Sequence, residues 1–243
     1  MSILARSARH QHVADRSWFA RAGILVVAWT ILLGLVVSVG RLLTGPLKGS
    51  VGSRDNELAR SFVGERTSSL NDVAGFLTML GDTRTVLVLA LAVALGVAVW
   101  RRDIRPAVFV AVAISGASGL YILAASLDPR ERPPVKILDP GLDPMHSFPS
   151  GHVAAATAVY GLIVVLVWTY ARAARYWVLP LLLVPLLVVV ARLYEGAHHL
   201  SDVTTSLMYA ATWLGVTART LLPGRTSTAP RAASAGTQKR PFE

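Results

Sequence analysis

Six long runs of mostly apolar residues divide this chain of 243 residues, and they constrain its fold more than any other feature. Each run approaches the ~20 residues that a helix needs to cross the ~30 Å hydrocarbon layer of a bilayer. Only 16% of the residues are charged, and nearly all of these fall between the runs, as expected where a charge in the bilayer is costly. The pattern predicts an all-α polytopic membrane protein with six transmembrane helices, at about residues 22–43, 84–100, 106–127, 152–171, 177–193 and 203–221.

The segments outside these runs differ in composition. Residues 46–82 mix Gly, Ser, Arg and Asp with regularly spaced apolar side chains, a pattern typical of amphipathic helices that lie on a membrane. Residues 223–243 are rich in Pro, Gly, Ser, Thr and Ala and cannot bury enough apolar surface to fold. We therefore predict one membrane domain, 1–222, followed by a flexible cytoplasmic tail, 223–243.

The distribution of basic residues predicts the orientation in the cell membrane. Arginines and lysines concentrate in both tails and in the loops 101–105 and 171–176, whereas the loop 194–202 has none. Short cytoplasmic loops are enriched in Lys and Arg, so both termini are expected in the cytoplasm. The loops 128–150 and 194–202 are then expected to face outward together.

Composition also excludes several classes of function. The formal net charge is +10, but the basic residues are scattered over tails and loops without forming a basic helix or ribbon, so we expect no nucleic-acid partner. The chain contains no cysteine, which rules out disulfides and thiolate metal sites. Membrane lipids are the expected surroundings, and the sequence does not indicate an oligomeric state.

Three groups of polar residues stand at predicted outward membrane boundaries. Arg132 precedes two prolines, Ser150 and Gly151 lie between Pro149 and His152, and Arg192 is followed by His198 and Asp202. The planar guanidinium groups of Arg132 and Arg192 are suited to bidentate binding of a phosphoryl group. Ser150 and Gly151 precede a predicted helix, where backbone NH groups and the helix dipole favour a phosphate.

Taken together and in this order, these groups resemble the type 2 phosphatidic acid phosphatase (PAP2) superfamily. The family pattern is Lys-x6-Arg-Pro, then Pro-Ser-Gly-His, then Ser-Arg-x5-His-x3-Asp, within a six-span layout. The resemblance implies that His198 is a nucleophile that forms a phosphohistidine, and that Asp202 orients it by accepting a hydrogen bond from its other ring nitrogen. It further implies that His152 is the general acid and base, with no metal and no other cofactor required.

Two positions depart from the family pattern. Ala125 stands where the family has lysine, and Ala191 stands where the third motif has serine. The first change removes a cation that would bind phosphate. Arg130 or Lys136 is the predicted replacement, and Arg130 is included among the phosphate-binding residues with Arg132, Ser150, Gly151 and Arg192.

Simpler interpretations exist for each motif on its own. His198 and Asp202 have the spacing of a surface pair on a helix. Together with His199, they could also supply part of the ligand set of a metal site. An isolated arginine at a boundary often contacts lipid headgroups. Pro-Ser-Gly alone is compatible with a helix cap.

The resemblance and the boundary position imply a substrate whose tail stays in the lipid while its phosphate reaches the outer surface. The expected reaction is hydrolysis of a lipid phosphate or diphosphate, with a polyprenyl carrier as the first candidate. Phosphatidic acid and phosphatidylglycerophosphate are the alternatives within the same chemistry. A lipid phosphotransferase and a non-hydrolytic relative that binds or transports phospholipid are the alternatives from other classes.

Overall fold

The computed structural model describes residues 3–223, with side chains from residue 18 onward. Its regular structure is helical throughout this range, which confirms the all-α prediction. The predicted tail, 223–243, lies outside the described residues except for its first position. The described helices are α1 (Ile3–Thr44), α2 (Val51–Gly64), α3 (Ser68–Met79), α4 (Thr83–Arg101), α5 (Arg105–Leu127), α6 (Gly151–Tyr170), α7 (Val184–Tyr194) and α8 (Leu200–Leu221).

Four helical segments within the described range are long and apolar enough to cross a membrane. They are Trp18–Thr44, Thr83–Arg101, Arg105–Leu127 and Gly151–Tyr170, which match the first four predicted spans. The fifth predicted span is a shorter apolar stretch, Leu179–Tyr194, whose first residues, Leu179–Leu183, form a 3-10 helix before α7 begins. The 3-10 helix has a proline in its first turn, and so does α7.

The sixth predicted span corresponds to α8, which has 22 residues and is ~33 Å long at 1.5 Å per residue. Several of its residues are polar, but Asp202, Ser206 and Thr217 are buried inside the protein. A buried polar face is what a membrane helix requires, because hydrocarbon offers no hydrogen-bond partners. The six-helix membrane bundle therefore accounts for the apolar runs of the sequence.

The core of the bundle surrounds α6, which packs against α4, α5, α7 and α8. Val153, Val159 and Leu162 of α6 are fully buried, as are Phe109 and Leu120 of α5. Many other apolar side chains on α1 and α4 remain exposed, as expected for surfaces that face lipid. This rigid centre fixes the position of the amino terminus of α6.

The region 46–82 forms two helices, α2 and α3, as the sequence predicts. Both helices contact α7, and the segment between them is held by Arg66. The Arg66 guanidinium donates to the carbonyl oxygen of Tyr194 at 2.9 and 3.2 Å and to that of Lys136 at 2.7 Å. Arg66 therefore ties the connection between α2 and α3 to the loop 128–150 and to the end of α7.

The two loops that were expected to face outward together do meet. The amide of Leu138 donates to the carbonyl of Glu195 at 3.0 Å, and Arg130 forms a salt bridge with Asp202. The loop after α5 thus lies across the turn between α7 and α8. The residues of all three motifs come together at this end of the bundle.

Candidate active site

The turn between α7 and α8 presents His198 to the centre of the site. Gly196 begins this turn with a φ of +71°, a left-handed conformation that side chains disfavour. A Cβ at this position would lie 2.6 Å from a methyl carbon of Val135, so the turn also lacks room for one. The glycine lets the chain reverse between Arg192 and His198.

His198 is held in one tautomer by the backbone of the opposite loop. Its Nδ1 lies 2.7 Å from the carbonyl oxygen of Ser147, and a carbonyl oxygen only accepts. Nδ1 therefore carries the proton, and Nε2 carries the lone pair. This is the arrangement that a nucleophilic imidazole requires.

The surroundings of His198 also favour its neutral form. The residue is only 3% exposed, and burial, together with the nearby positive charge of Arg192, lowers the pKa of His198 well below its ordinary value. Asp202 acts in the opposite direction without outweighing these effects. A neutral imidazole at physiological pH keeps its lone pair available.

Asp202 lies close to His198 but does not form the direct hydrogen bond that the sequence analysis predicted. Its Oδ2 is 3.9 Å from the Nδ1 of His198, and the Ser147 carbonyl occupies the place of that partner. Oδ2 of Asp202 accepts from the Ser147 hydroxyl at 2.6 Å and from the amide of His199 at 2.8 Å. Asp202 therefore orients His198 through the segments on either side, as well as by its charge.

The position of Arg130 does not favour the phosphate-binding role predicted from sequence. Its Nη2 lies 3.0 Å from Oδ2 of Asp55, and its Nη1 contacts both Oδ1 of Asp202 and the Ser201 hydroxyl. All three charged side chains are at most 7% exposed. The guanidinium is committed to two carboxylates, so Arg130 serves as an anchor for Asp202.

Arg192 is arranged differently, because only one of its three guanidinium nitrogens has a hydrogen-bond partner among the described residues. Its Nη1 donates to Asp139 and to Glu195, each at 2.8 Å. Its Nε and Nη2 are buried and have no hydrogen-bond partner among the described residues. These two nitrogens form one edge of the guanidinium and donate in parallel, which suits two oxygens of a phosphoryl group.

Glu195 and Asp139 fix the orientation of this edge. Glu195 is buried, and its Oε2 also accepts from the Thr78 hydroxyl at 2.8 Å. Burial raises the pKa of Glu195, while the charge of Arg192 opposes the shift. Because the carboxylates hold Nη1, the Nε and Nη2 edge is directed away from them.

Arg132 keeps an uncompensated positive charge at the site. Its three hydrogen bonds go to backbone carbonyls, those of Asp143, Ala197 and His146, and these neutral acceptors do not cancel its charge. Burial lowers the pKa of Arg132, and the nearby charge of Arg192 lowers it further. The charge of Arg132 attracts an anion to the site, and the Nε and Nη2 edge of Arg192 offers that anion hydrogen-bond donors.

The first turn of α6 supplies further donors, although in a different way from the prediction. The amide of Ser150 is already used, because it donates to the Ser206 hydroxyl at 2.8 Å. The Ser150 hydroxyl, in contrast, is buried and has no partner among the residues described. Gly151 is the first residue of α6, where an amide has no partner within the helix.

His152 follows in the same turn and is partly exposed. Within the described part of the chain, its ring takes no part in a hydrogen bond, and it lies within electrostatic range of Arg192 and Asp139. Its imidazole is thus available to exchange a proton with a bound group. The structure brings His152, Ser150, Gly151, Arg132, Arg192 and His198 to the same end of the bundle.

The remaining sequence candidates lie aside from this arrangement. Ala125 is buried near the end of α5, and Lys136 is exposed with its carbonyl bound to Arg66. His199 contacts Asp202 at 3.2 Å and Asn56 at 3.1 Å through its two ring nitrogens. In the described residues, no three His, Asp or Glu side chains converge in a way that would hold a metal ion.

Several residues of the site carry no sequence signal that the motifs would reveal. Ser147, Asp55, Asp139 and Glu195 each contact a motif residue, but they come from segments without a recognisable pattern. The only available hint was a carboxylate close to a motif, as Glu195 is to His198. Ser147 acts through its backbone carbonyl as well as its hydroxyl, and residue identity does not reveal a carbonyl.

A helical membrane bundle with a buried, neutral histidine beside two arginines defines a class of protein that acts on anionic groups at a membrane surface. The PAP2 superfamily model matches residues 85–223, more than half of the chain. The chain belongs to the PAP2 superfamily.

The fold is also similar to a solved structure. It matches the crystal structure of a transmembrane PAP2-type phosphatidylglycerolphosphate phosphatase from Bacillus subtilis with a TM-score of 0.67 and 20% sequence identity. The match covers 78% of this chain and 93% of the other. No curated protein sequence matches the chain. The similarity confirms the membrane fold.

Proposed function

We propose that this protein is a membrane phosphatase that removes phosphate from a lipid through a phosphohistidine on His198. The observation that carries the proposal is the pairing of the His198 tautomer with the open edge of Arg192. The ring nitrogen with a lone pair belongs to a buried imidazole, and the arginine beside it carries two buried donors that have no partner among the described residues. Phosphoryl transfer needs a nucleophile and charge compensation in this combination.

In the first step, Nε2 of His198 attacks phosphorus while the bond to the lipid oxygen breaks. His152, in its protonated form, donates a proton to the leaving oxygen, so the lipid departs as an alcohol. The phosphorylated His198 still carries its Nδ1 proton and gains positive charge. The Ser147 carbonyl at 2.7 Å and the Asp202 carboxylate at 3.9 Å stabilise that charge.

In the second step, neutral His152 takes a proton from water and the resulting hydroxide attacks phosphorus. The phosphorus–nitrogen bond breaks, inorganic phosphate forms and His198 regains its lone pair. Throughout both steps, Arg132, Arg192 and the first turn of α6 bind the phosphoryl oxygens. The Ser150 hydroxyl is a further donor, since it lacks a partner among the described residues.

The proposed substrate is a lipid that carries a phosphate or diphosphate, with the head at the outer boundary and the tail in the bilayer. A polyprenyl phosphate or diphosphate is the first candidate. Phosphatidic acid and phosphatidylglycerophosphate are the alternatives, and the fold neighbour, named as a phosphatidylglycerolphosphate phosphatase, supports testing the latter. The outward orientation, with both termini in the cytoplasm, rests on the distribution of basic residues.

Phosphate release by purified protein in detergent tests the proposal. The substrates are polyprenyl phosphate, polyprenyl diphosphate, phosphatidic acid and phosphatidylglycerophosphate. We expect His198→Gln to reduce release to background and Asp202→Asn to reduce it less, because Asp202 acts through its charge and its neighbours. A base-stable, acid-labile phosphoprotein should form with wild type and not with His198→Gln. Normal release by His198→Gln at equal expression would refute the assignment.

The same assay separates the other two classes of function. A phosphotransferase would yield a new phosphoester on an added alcohol acceptor, with little inorganic phosphate. A non-hydrolytic lipid-binding relative would yield neither product while still binding the lipid. The unpartnered edge of Arg192 and the neutral form of His198 favour the hydrolase over the binding protein.

A further inference from the structure

The phenol of Tyr121 lies against the first turn of α6. A Cβ placed on Gly151 would lie 3.1 Å from Cζ of Tyr121 and 3.2 to 3.3 Å from its two Cε atoms. These three atoms form the end of the ring that bears the hydroxyl. The hydroxyl of Tyr121 therefore reaches the same turn of α6 that carries Ser150, Gly151 and His152.

This close approach explains why residue 151 is a glycine in this chain. A side chain there would have to displace the aromatic ring, which is itself fixed by the packing of α5 against α6. Glycine lets the ring and the helix backbone approach each other. The contact thus places an aromatic hydroxyl beside backbone amides that have no helical partner.

The Tyr121 hydroxyl is available for a ligand. No hydrogen bond involves it in the part of the chain that the structure describes, and the residue is only partly buried. The phenol also lies close enough to Arg132 to interact electrostatically with its guanidinium. The neighbouring Ser150 hydroxyl is fully buried and likewise unpartnered among described residues.

Ala125 lies one helical turn beyond Tyr121 on α5, and it contributes no polar group. Residues i and i+4 of a helix share a face, so both residues face the same side of α5. Of these two residues, only Tyr121 can therefore offer a hydrogen bond from this side of α5, and it does so with a neutral phenol.

We propose that Tyr121 donates a hydrogen bond to a phosphoryl oxygen of the bound substrate. This inference rests on the proposed function, since it adds a substrate contact to the same site. The phenol is a neutral O–H donor, so it donates without adding charge. Tyr121 thereby completes a ring of donors with Arg132, Arg192, Ser150 and the amides of α6.

The substitution Tyr121→Phe removes the hydroxyl and retains the ring that packs on Gly151. Tyr170→Phe is the control, because the Tyr170 hydroxyl likewise has no hydrogen-bond partner among the described residues. Tyr170 is the last residue of α6, ~27 Å from His152 at 1.5 Å per residue. Both variants should fold, and thermal stability in detergent verifies that they do.

The measured quantities are kcat/KM for phosphate release and the inhibition constant of orthovanadate, which mimics the phosphoryl group without a lipid tail. We expect Tyr121→Phe to lower kcat/KM and to weaken vanadate inhibition, each by roughly 10- to 100-fold, the range for a hydrogen bond to a charged group. Tyr170→Phe should leave both unchanged. Adding Ala125→Lys to Tyr121→Phe should restore part of the vanadate affinity, because it supplies a donor from the same face.

Unchanged vanadate inhibition in a folded Tyr121→Phe protein would overturn the inference, whether or not lipid turnover falls. A fall in activity together with a lower thermal stability and unchanged vanadate inhibition would assign Tyr121 a packing role. Direct vanadate binding, followed by vanadium NMR, separates this inference from the proposed function. Wild type that binds vanadate more tightly than Tyr121→Phe without hydrolysing any lipid would refute the hydrolase and support the donor.

Discussion

Arg130 and Arg132 lie in the same loop between α5 and α6, but their surroundings differ. Arg130 is buried between Asp55 and Asp202, whereas the hydrogen bonds of Arg132 go to backbone carbonyls. The first guanidinium is neutralised by two carboxylates, and the second retains its charge. One side of the site is therefore an ion-pair anchor, and the other side carries the positive charge that we propose binds the phosphate.

This contrast shows that residue type and spacing do not decide which arginine binds phosphate. What decides it is the set of acceptors that the fold supplies. Where buried carboxylates pair with both terminal nitrogens, as on Arg130, the arginine holds other groups in place. Where donors remain without partners, as on Arg192, the side chain is prepared for a ligand.

Removal of Arg130 should therefore have its largest effect on stability. Arg130→Met would leave Asp55 and Asp202 buried without a counter-charge, which typically costs about 3–5 kcal/mol. Arg132→Met should cost less stability, because the half-buried carbonyls that it leaves can bind water. At a temperature where both variants are folded, however, Arg132→Met should lower phosphate release more than Arg130→Met does. Thermal denaturation in detergent and kcat/KM provide the comparison.

The opposite result would support the sequence-based prediction that Arg130 binds phosphate. If Arg130→Met melts as wild type does but loses as much activity as Arg132→Met, Arg130 contacts the phosphate. Asp55→Asn serves as an independent probe, since it weakens the anchor without touching the proposed substrate. It should lower the melting temperature in the same direction as Arg130→Met, by a smaller amount.

Arg192→Lys should reduce kcat/KM by about 10²- to 10³-fold, the range observed when one preorganised donor to a transition state is removed. Lysine keeps the charge and can still pair with Glu195 and Asp139. It lacks the two parallel donors of the Nε and Nη2 edge. Similar losses for Arg192→Lys and Arg192→Ala would show that the geometry matters, whereas near-normal kinetics for the lysine variant would reduce Arg192 to a source of charge.

The apolar runs and the three motifs were enough to predict the helical membrane fold and the end of the bundle where the polar residues gather. Both follow from strong local rules, the length of a membrane span and the exclusion of charge from lipid. The partners of each side chain were not predictable in this way. The Asp55 contact to Arg130 joins residues far apart in sequence, and the acceptor for His198 is a backbone atom of Ser147.

The same reasoning explains why two contacts of Ser150 and Asp202 differ from those expected. The Ser150 amide was expected to bind phosphate, but Ser206, one turn beyond Asp202 on α8, takes that donor. Asp202 was expected to bond His198, but the loop 143–148 passes close enough to supply the acceptor instead. In each case, the fold brings a group from another segment, Ser206 of α8 or the Ser147 carbonyl of the loop, to a partner that the sequence alone does not indicate.

The pH dependence of kcat/KM should reveal the environment of His198. Its folded pKa lies below the ordinary value of 6.5, and the attacking form is neutral. Activity should therefore be retained as the pH falls through 6.5 and be lost only when His198 itself becomes protonated. Asp202→Asn removes the negative charge that raises this pKa, so it should move the acidic limb to a still lower pH. A limb at or above 6.5 in wild type would contradict the buried, neutral state.

Chelation should have the smallest effect of all. The proposed mechanism takes its charge compensation from Arg132, Arg192 and the first turn of α6, so EDTA should leave phosphate release unchanged. A metal bound by His198 and Asp202 could bind Nδ1 of His198 only if that atom lost its 2.7 Å contact with the Ser147 carbonyl. If the metal bound Nε2 instead, it would occupy the lone pair of the proposed nucleophile. Loss of activity in EDTA that zinc restores would show that His198, His199 and Asp202 hold a metal. The side of the site where Arg130 anchors Asp202, which also contains His199, would then be the catalytic side.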